Sequence, residues 1–581
     1  DESVNEHWSA LWEEECKTSS DKRQCAYDEG IPSRTIEYWD ENPEEAPEGF
    51  PSKKSDDSGP GYSEDVKFTL AEGMFEGGPA LDNGSLAWAD VNRNGRLDVA
   101  VSGVDSNNDA RLVIFKNLGD GEFQIEDEPM GDDAGLYSSS IAWGDFDNSG
   151  RLDLAVMGHD KAGEDASPRL IVFRNNGDFD FENLAEPMEE GAGLERGKLI
   201  PVDFNNDGKM DIIASGHDGS VARLIVFANT TGGEEDELAF DEGTDLVDDN
   251  GDSMGLSNFS AVAAWDYNRD GWPDLAALGQ DRNSDPRLVL WENMGPDTPV
   301  YGETGFIDLA DTIGPVQGLL HGDLSVADIL GDGSPELIAA GKDDFDGTQF
   351  YVIASDGNSF SLEQSARDLD TDIMGLRYAS LSAGDFNNSG KVDVIISGRD
   401  MNDTNRLLVY KNDDGKLQRD FEPLGRQEGL TGGVAGADFR GDGKLGFAAL
   451  GFDGADKQLY GFRNNTDIEA NEPPDIPETI GTERDSNTVI FRWKRSDDDR
   501  TSSESLSYII RVGSTPGGVD VLGEGSTDEH RYYHKLQGRI PPGRTEAILH
   551  NLPSGSYHWA VRAIDGGYQM SEWSDEESFD F

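Results

Sequence analysis

Short apolar runs separated by polar, glycine-rich turns recur along most of the chain. In the first copy, Leu97-Asp-Val-Ala-Val-Ser-Gly103 is followed by Val104-Asp105, a polar loop and Arg111-Leu-Val-Ile-Phe-Lys-Asn117. These runs are strand-length, rich in β-branched residues and bounded by turn formers, which predicts buried strands. A Phe-bearing run, Glu122-Phe-Gln-Ile125, comes next, and Ser140-Ile-Ala-Trp-Gly144 leads into the following copy. Each unit therefore supplies four strands.

An Asp-rich loop punctuates every unit. It reads Asp90-Val-Asn-Arg-Asn-Gly95-Arg-Leu-Asp98, Asp145-Phe-Asp-Asn-Ser-Gly150-Arg-Leu-Asp153 and Asp203-Phe-Asn-Asn-Asp-Gly208-Lys-Met-Asp211 in the first three copies. The fourth is Asp266-Tyr-Asn-Arg-Asp-Gly271-Trp-Pro-Asp274 and the sixth Asp385-Phe-Asn-Asn-Ser-Gly390-Lys-Val-Asp393. Copies five (Asp328 to Glu336) and seven (Asp438 to Gly446) are degenerate. Seven in-phase four-stranded units predict a closed ring, because closure removes exposed sheet edges. The expected fold is all-β: a seven-bladed β-propeller over 65–466, then an immunoglobulin-like β-sandwich. Val66-Lys-Phe-Thr-Leu70 has no unit of its own, and the seventh unit, ending at Asn464, lacks an outer strand. Residues 66–70 are expected to complete that unit and clasp the ring.

The Asp loops, the Gly-x-Asp that follows each second strand, and the Leu-x-Val-Phe-x-Asn strand resemble FG-GAP/VCBS repeats. The resemblance covers 65–466 and implies an integrin-α-like propeller with calcium in its hairpins. The chemistry of the loop agrees. Calcium takes six to eight oxygens from a flexible loop turned sharply at a glycine. Side chains at positions 1, 3, 5 and 9 with the carbonyl at 7 supply five donors. The candidate sets are Asp90, Asn92, Asn94, Arg96 (carbonyl) and Asp98; Asp145, Asp147, Ser149, Arg151 and Asp153; and Asp203, Asn205, Asp207, Lys209 and Asp211. Two more are Asp266, Asn268, Asp270, Trp272 and Asp274, and Asp385, Asn387, Ser389, Lys391 and Asp393. Five calcium sites are expected, with loops two to four tightest because each offers three carboxylates. Asp328, Asp332 and Glu336 form a sixth candidate in which Leu330 removes one ligand. Loop seven, with Arg440 at position 3 and Gly446 at position 9, is expected to hold none.

Asp105, Asp160, Asp218, Asp281, Asp343, Asp400 and Asp453 close the Gly-x-Asp elements. Arg111, Arg169, Arg223, Arg287 and Arg406 follow in five copies, with Gln349 and Gln458 in the degenerate two. A structural Asp–Arg bridge within each unit is expected. Trp88, Trp143 and Trp265 share one register and are expected between units. Arg440-Gly-Asp442 lies in the degenerate loop and is read as coincidence, as are most of the sequons at Asn229, Asn258, Asn387, Asn402 and Asn464.

After Asn464 the chain becomes a Pro-rich linker at 467–473, and 474–581 reads as a β-sandwich. Leu552-Pro-Ser-Gly-Ser-Tyr557-His-Trp-Ala-Val561-Arg-Ala563 resembles the tyrosine-corner segment of fibronectin type III domains, with Tyr557 at the corner. Residues 1–64 do not repeat. They form an acidic extension in which Cys16 and Cys25 are expected to pair as a local disulfide.

Charge decides the functional class. The chain carries 47 basic and 117 acidic residues, a net −70. Such a surface excludes nucleic acid, whose phosphates need a basic partner. It favours bound divalent cations and a saline, halophilic setting that screens self-repulsion. The chain begins at Asp with no apolar leader, as a mature exported product would, and no stretch is long enough to span a membrane. Its eight His form no cluster, and neither Gly-x-Ser-x-Gly nor His-Glu-x-x-His occurs. The expectation is a secreted or cell-surface protein, not an enzyme. Its expected role is adhesion, binding of an extracellular protein or glycan, or self-assembly into a coat or filament. The alternative is a calcium-dependent polysaccharide lyase or hydrolase.

Overall fold

The computed structural model describes residues 67–581 except 120, 132–133, 160–167, 188–192, 232–237, 247–254, 296–305, 346, 366–374, 426–427, 486 and 524–539. Residues 1–63 form a separate unit. The Cys16–Cys25 pairing and the role of the extension lie outside the described residues.

The apolar runs become antiparallel four-stranded sheets, seven among the described residues. Sheet one comprises Asp82–Ala89, Asp98–Val104, Ala110–Gly119 and Glu122–Asp127. Sheets two to six repeat this order, beginning at Tyr137–Gly144, Leu199–Val202, Ser257–Ala264, Leu320–Ala327 and Arg377–Gly384. Second strands such as Asp98–Val104 and Asp153–His159 are buried along their whole length, which explains their unbroken apolar pattern.

Sheet seven joins the two ends of the repeat region. Val434–Ala437, Gly446–Phe452 and Lys457–Asn464 supply three strands, and Phe68–Leu70 supplies the fourth. Phe68 pairs with Asn464 and Leu70 with Phe462. The first strand of each sheet packs on that of the next, and sheet seven packs back on sheet one, so the ring closes. Apolar clusters fill the junctions: Ile141, Trp143 and Phe173 meet Val91 and Ile114 between sheets one and two. Indole N–H groups tie junctions too. Trp88 donates to the Ala435 carbonyl at 3.0 Å and Trp143 to that of Ala87 at 3.1 Å.

Residues beyond 474 form two three-stranded sheets, Thr479–Asp485, Thr488–Trp493 and Glu546–His550 facing Ser507–Gly513, Ser556–Ile564 and Glu577–Asp580. Phe491, Trp493, Tyr508, Trp559 and Phe579 lie in the core between them. The Tyr557 hydroxyl donates to the Pro553 carbonyl at 2.7 Å, fixing the turn before its strand. No described helix is long and apolar enough to cross a membrane.

The seam gives a direct test. Phe68 is buried and meets Phe447 edge-on at a centroid distance of 4.9 Å. Removing residues 1–64 is expected to leave thermal unfolding cooperative and its midpoint within a few degrees, whereas removing 1–71 exposes the edge of Lys457–Asn464 and abolishes the cooperative transition. Phe68→Ala is expected to cost about 3–5 kcal/mol in denaturant unfolding. Equal midpoints for the two truncations would refute the clasp.

Candidate metal loops and the domain that covers them

Each Asp loop links the first and second strands of its sheet and repeats one local geometry. The position-1 carboxylate accepts two loop N–H groups. Asp90 takes those of Asn94 (2.9 Å) and Gly95 (2.8 Å), and Asp203 those of Asp207 (2.9 Å) and Gly208 (2.8 Å). The turn needs left-handed backbone at positions 4 and 6. Gly95, Gly150 and Gly208 supply position 6 at φ 79–92°, while Arg93, Asn148 and Asn206 hold position 4 at φ 51–59°. Degenerate loops five and seven place Gly331 and Gly441 at position 4, so they keep the backbone while losing ligands.

The position-9 acid is the deepest group. Asp98, Asp153, Asp211, Asp274, Glu336 and Asp393 are at most 1% exposed. Except in sheet five, one oxygen accepts the N–H of loop position 2 and the other that of the Asn ending the third strand. For Asp98 these are Val91 (3.2 Å) and Asn117 (2.8 Å). Burial pushes these acids up, Asp98 and Asp211 to about 7, Asp153 to about 8, and Asp274 and Glu336 to about 9. Asp385 rises to about 6, and Asp145 and Asp393 rise well above the usual carboxylate range, all chiefly through burial.

Two groups of three acids bring one oxygen each within 4.8 Å of the others, Asp145, Asp147 and Asp153 in loop two and Asp328, Asp332 and Glu336 in loop five. Loop five, the sixth candidate on sequence, is thus as compact as loop two. The longer Glu336 side chain reaches back, and its Oε2 accepts the N–H groups of Ile329 (2.8 Å) and Leu330 (3.0 Å). Glu336 Oε1 and, in loop one, Asn92 Oδ1 are buried acceptors without a partner. Burying an unmet oxygen costs about 1–3 kcal/mol, and a hard cation beside these acids would satisfy it. The donors are carboxylate, amide and carbonyl oxygens, the set calcium prefers.

Loop three (Asp203, Asn205, Asp207, Asp211) and loop six (Asp385, Asn387, Ser389, Asp393) keep the same turn. Asn205 Oδ1 and Asn387 Oδ1 accept the position-5 N–H at 2.9 and 3.0 Å. Loop four differs. Arg544 of the C-terminal region places Nη1 2.5 Å from Asp266 Oδ2, with both side chains about 90% buried. A guanidinium already answers the charge there.

That contact belongs to a larger docking. Loop two's Asn148 donates to the Val521 carbonyl at 3.1 Å, and His550 N donates to the carbonyl of Asn206 in loop three at 2.8 Å. Trp272 of loop four stacks on His550 at 4.7 Å. Asp385 N donates to the Gly566 carbonyl at 2.8 Å, and Gln569 Nε2 reaches Asp438 of loop seven at 3.2 Å. Tyr568 donates to the Ala383 carbonyl and lines the channel bounded by the first strands. The sandwich therefore covers the loop face and closes that end of the channel.

The Gly-x-Asp bridges also form. Arg111, Arg223, Arg287 and Arg406 lie 2.9–3.5 Å from Asp105, Asp218, Asp281 and Asp400, while Gln349 and Gln458 donate to Asp343 and Asp453 at 2.6 and 2.7 Å. Asp160 lies outside the described residues. Each arginine has a second acid in or beside the fourth strand (Glu128, Glu186, Asp245, Asp308 and Glu422), which sequence spacing did not reveal.

A family model described as an FG-GAP-like repeat matches residues 90–156 and 203–277, which contain loops one to four. Curated proteins yield no match. Among solved structures, an Aleuria aurantia lectin bound to alpha-methyl-L-fucoside is 10% identical with TM-score 0.33, covering 59% of this chain and 97% of that one. The extracellular domain of BT3049 from B. thetaiotaomicron, described as a hybrid two component system, is 11% identical with TM-score 0.38. That alignment covers 89% of this chain and 57% of the other, so the chain spans little more than half of it. A thermostable family-43 glycoside hydrolase is 8% identical with TM-score 0.28, covering 61% of this chain and 96% of that one.

The raised acids set a pH dependence. Without cations, the folded chain binds protons between about pH 4 and 9 that the unfolded chain has released, so stability falls as pH rises through that window. Calcium competes with those protons. The gain in melting temperature from calcium over chelator is therefore expected to be larger at pH 8 than at pH 5, and equal gains would overturn this account. Arg544→Gln is expected to raise the calcium stoichiometry by one, read by calorimetry, because it frees Asp266; an unchanged count would mean that loop four does not take calcium.

Proposed function

We propose that this chain is an extracellular binding protein, a calcium-loaded seven-bladed β-propeller capped by a fibronectin type III-like domain. The repeated burial of acids in the Asp loops carries the reading. Six buried position-9 acids, two compact acid triads and orphaned oxygens at Asn92 and Glu336 are what a calcium-loaded ring requires. The FG-GAP-like match supports the same view. Calcium on this reading is structural, locking loops to sheets and leaving a rigid ring whose uncovered face is available to a partner.

Binding is preferred to catalysis for a local reason. The two carboxylates at the open channel mouth are both engaged: Asp323 by Lys198 and the Leu381 N–H, and Asp82 by the Asn83 N–H at 2.7 Å. The acidic surface fits a saline exterior and an exported product, and the partner is a glycan, an extracellular protein or a second copy of the chain.

Chelation tests the scaffold. At matched ionic strength, EDTA is expected to lower the melting temperature by several degrees, and excess calcium to restore it. No shift would remove calcium from the account. Electron microscopy of native surface material then separates modes of use: dispersed particles support ligand binding, while fibres or lattices replace it with assembly.

A further inference from the structure

The end of the channel opposite the Asp loops holds a cavity of ≈ 350 Å³, within the ~300–1,000 Å³ typical of ligand pockets. Its rim is built by one repeated irregularity. Near the start of the first strand in six sheets, a non-glycine residue takes left-handed backbone: Asn83, Ser138, Arg196, Phe259, His321 and Tyr378, at φ 48–57°. Five of these sit where the pairing to the second strand slips. Bulges of this kind re-aim side chains, and all six residues line the cavity. Left-handed backbone at such non-glycine residues is strained, so the strain is concentrated where a ligand would sit.

The rim has two unlike halves. Sheets four to six contribute three rings in mutual contact: Phe259 lies 5.5 Å from His321 and 5.7 Å from Tyr378, and His321 lies 4.7 Å from Tyr378. Sheets one to three contribute the polar half. Within the aromatic half, His321 Nδ1 is buried without a hydrogen-bond partner.

Among the ionisable side chains lining the mouth, Arg196 stands apart. Arg196 is exposed, and among the described residues its guanidinium has no acidic partner. Lys198 and Arg399 also line the cavity. Asp323 is already paired with Lys198, and Asp82 is hydrogen-bonded to its neighbour Asn83. His321 is pushed down to about 4, first by burial and then by the nearby Lys342 and Arg377 cations, so its ring is neutral at physiological pH.

From this juxtaposition we propose that the open mouth is a binding site for a saccharide bearing a carboxylate. The apolar face of the sugar packs on the Phe259–His321–Tyr378 rings. Its hydroxyls meet the polar half of the rim, and its carboxylate pairs with Arg196, whose planar fork matches two oxygens. The volume suits one or two sugar units. This deepens the binding function proposed above and rests on it for the rigid ring.

The test uses the full chain with calcium and two probes that differ only in the carboxylate, methyl glucuronide and methyl glucoside, followed by ligand-observed NMR and calorimetry. The glucuronide is expected to bind about tenfold or more tighter, the size of one charge-assisted contact. Arg196→Asn, a residue that tolerates left-handed backbone, is expected to erase that preference without moving the melting temperature. Tyr378→Ala is expected to weaken both sugars. Equal affinity for the two sugars, or a preference that survives Arg196→Asn, overturns the assignment. If neither sugar binds a chain that still melts in a calcium-dependent way, the site fails while the scaffold reading stands.

Discussion

The rest of the ring hangs on one buried carboxylate in each of six sheets, the acid that opens the second strand. Water cannot reach it, so its charge must be met by N–H groups, by a cation or by a proton. The N–H groups come from two places at once, loop position 2 and the end of the third strand. The Asn at that strand end turns its own amide outward: Asn117 Nδ2 donates to Leu97 O in its own loop (3.0 Å) and to Phe439 O in the preceding sheet's loop (2.7 Å). Asn175, Asn229, Asn293, Asn412 and Asn464 repeat the arrangement. Each acid therefore fixes a loop, a sheet and a junction together.

A second chain of hydrogen bonds runs through position 4. Arg93 donates to Ser149 O, Asn148 to Gly208 O, Asn206 to Gly271 O, Arg269 to Gly333 O and Asn388 to Gly443 O, each reaching the next loop around the ring. The departures from the pattern are compensated. Sheet five ends its third strand at Ser355 rather than Asn, and the carbonyl of Pro335 that an Asn would have taken accepts Trp265 Nε1 at 2.9 Å. In loop seven Gly446 stands at position 9, and Gln569 of the sandwich meets Asp438 instead.

The period, the loop glycines, the Asp–Arg bridges and the strand Phe68–Leu70 that completes the seventh unit were all legible, because each depends on residues at fixed local spacing. The strand-end Asn residues were visible, but their role was not drawn from the sequence. Asn229 and Asn464 looked like sequons, although their recurrence after every Leu-x-Val-Phe run, sheet five excepted, was the available signal. Position 4 carried no readable signal, because Arg and Asn share only a side-chain N–H donor. The docking of 474–581 on the loops had no local signature at all. Arg544 and Asp266 lie 278 residues apart, and nothing near either names the other.

Covering the loop face has a consequence for where the chain can act. Arg544, His550, Gly566 and Gln569 occupy the loops that would otherwise be the accessible, acid-rich surface, and Tyr568 shuts the channel behind them. Ile509 and Ile564, which alternate with the sandwich's own core residues Tyr508, Ile510 and Ala563, belong to the same apolar cluster as Val91 and Trp143 of the ring, so the two parts share packing rather than merely touch. The acidic loops thus become interior structure, with their charge answered by hydrogen bonds, an arginine and the cations that fit them. On the proposed reading, recognition is displaced to the opposite mouth, where repeated bulges bring rings and Arg196, without an acidic partner among the described residues, around one cavity. In a chain of net charge −70, long-range attraction cannot bring an anionic ligand there, so affinity must come from contact at the rim, and salt that screens the distant acids would strengthen the encounter rather than weaken it.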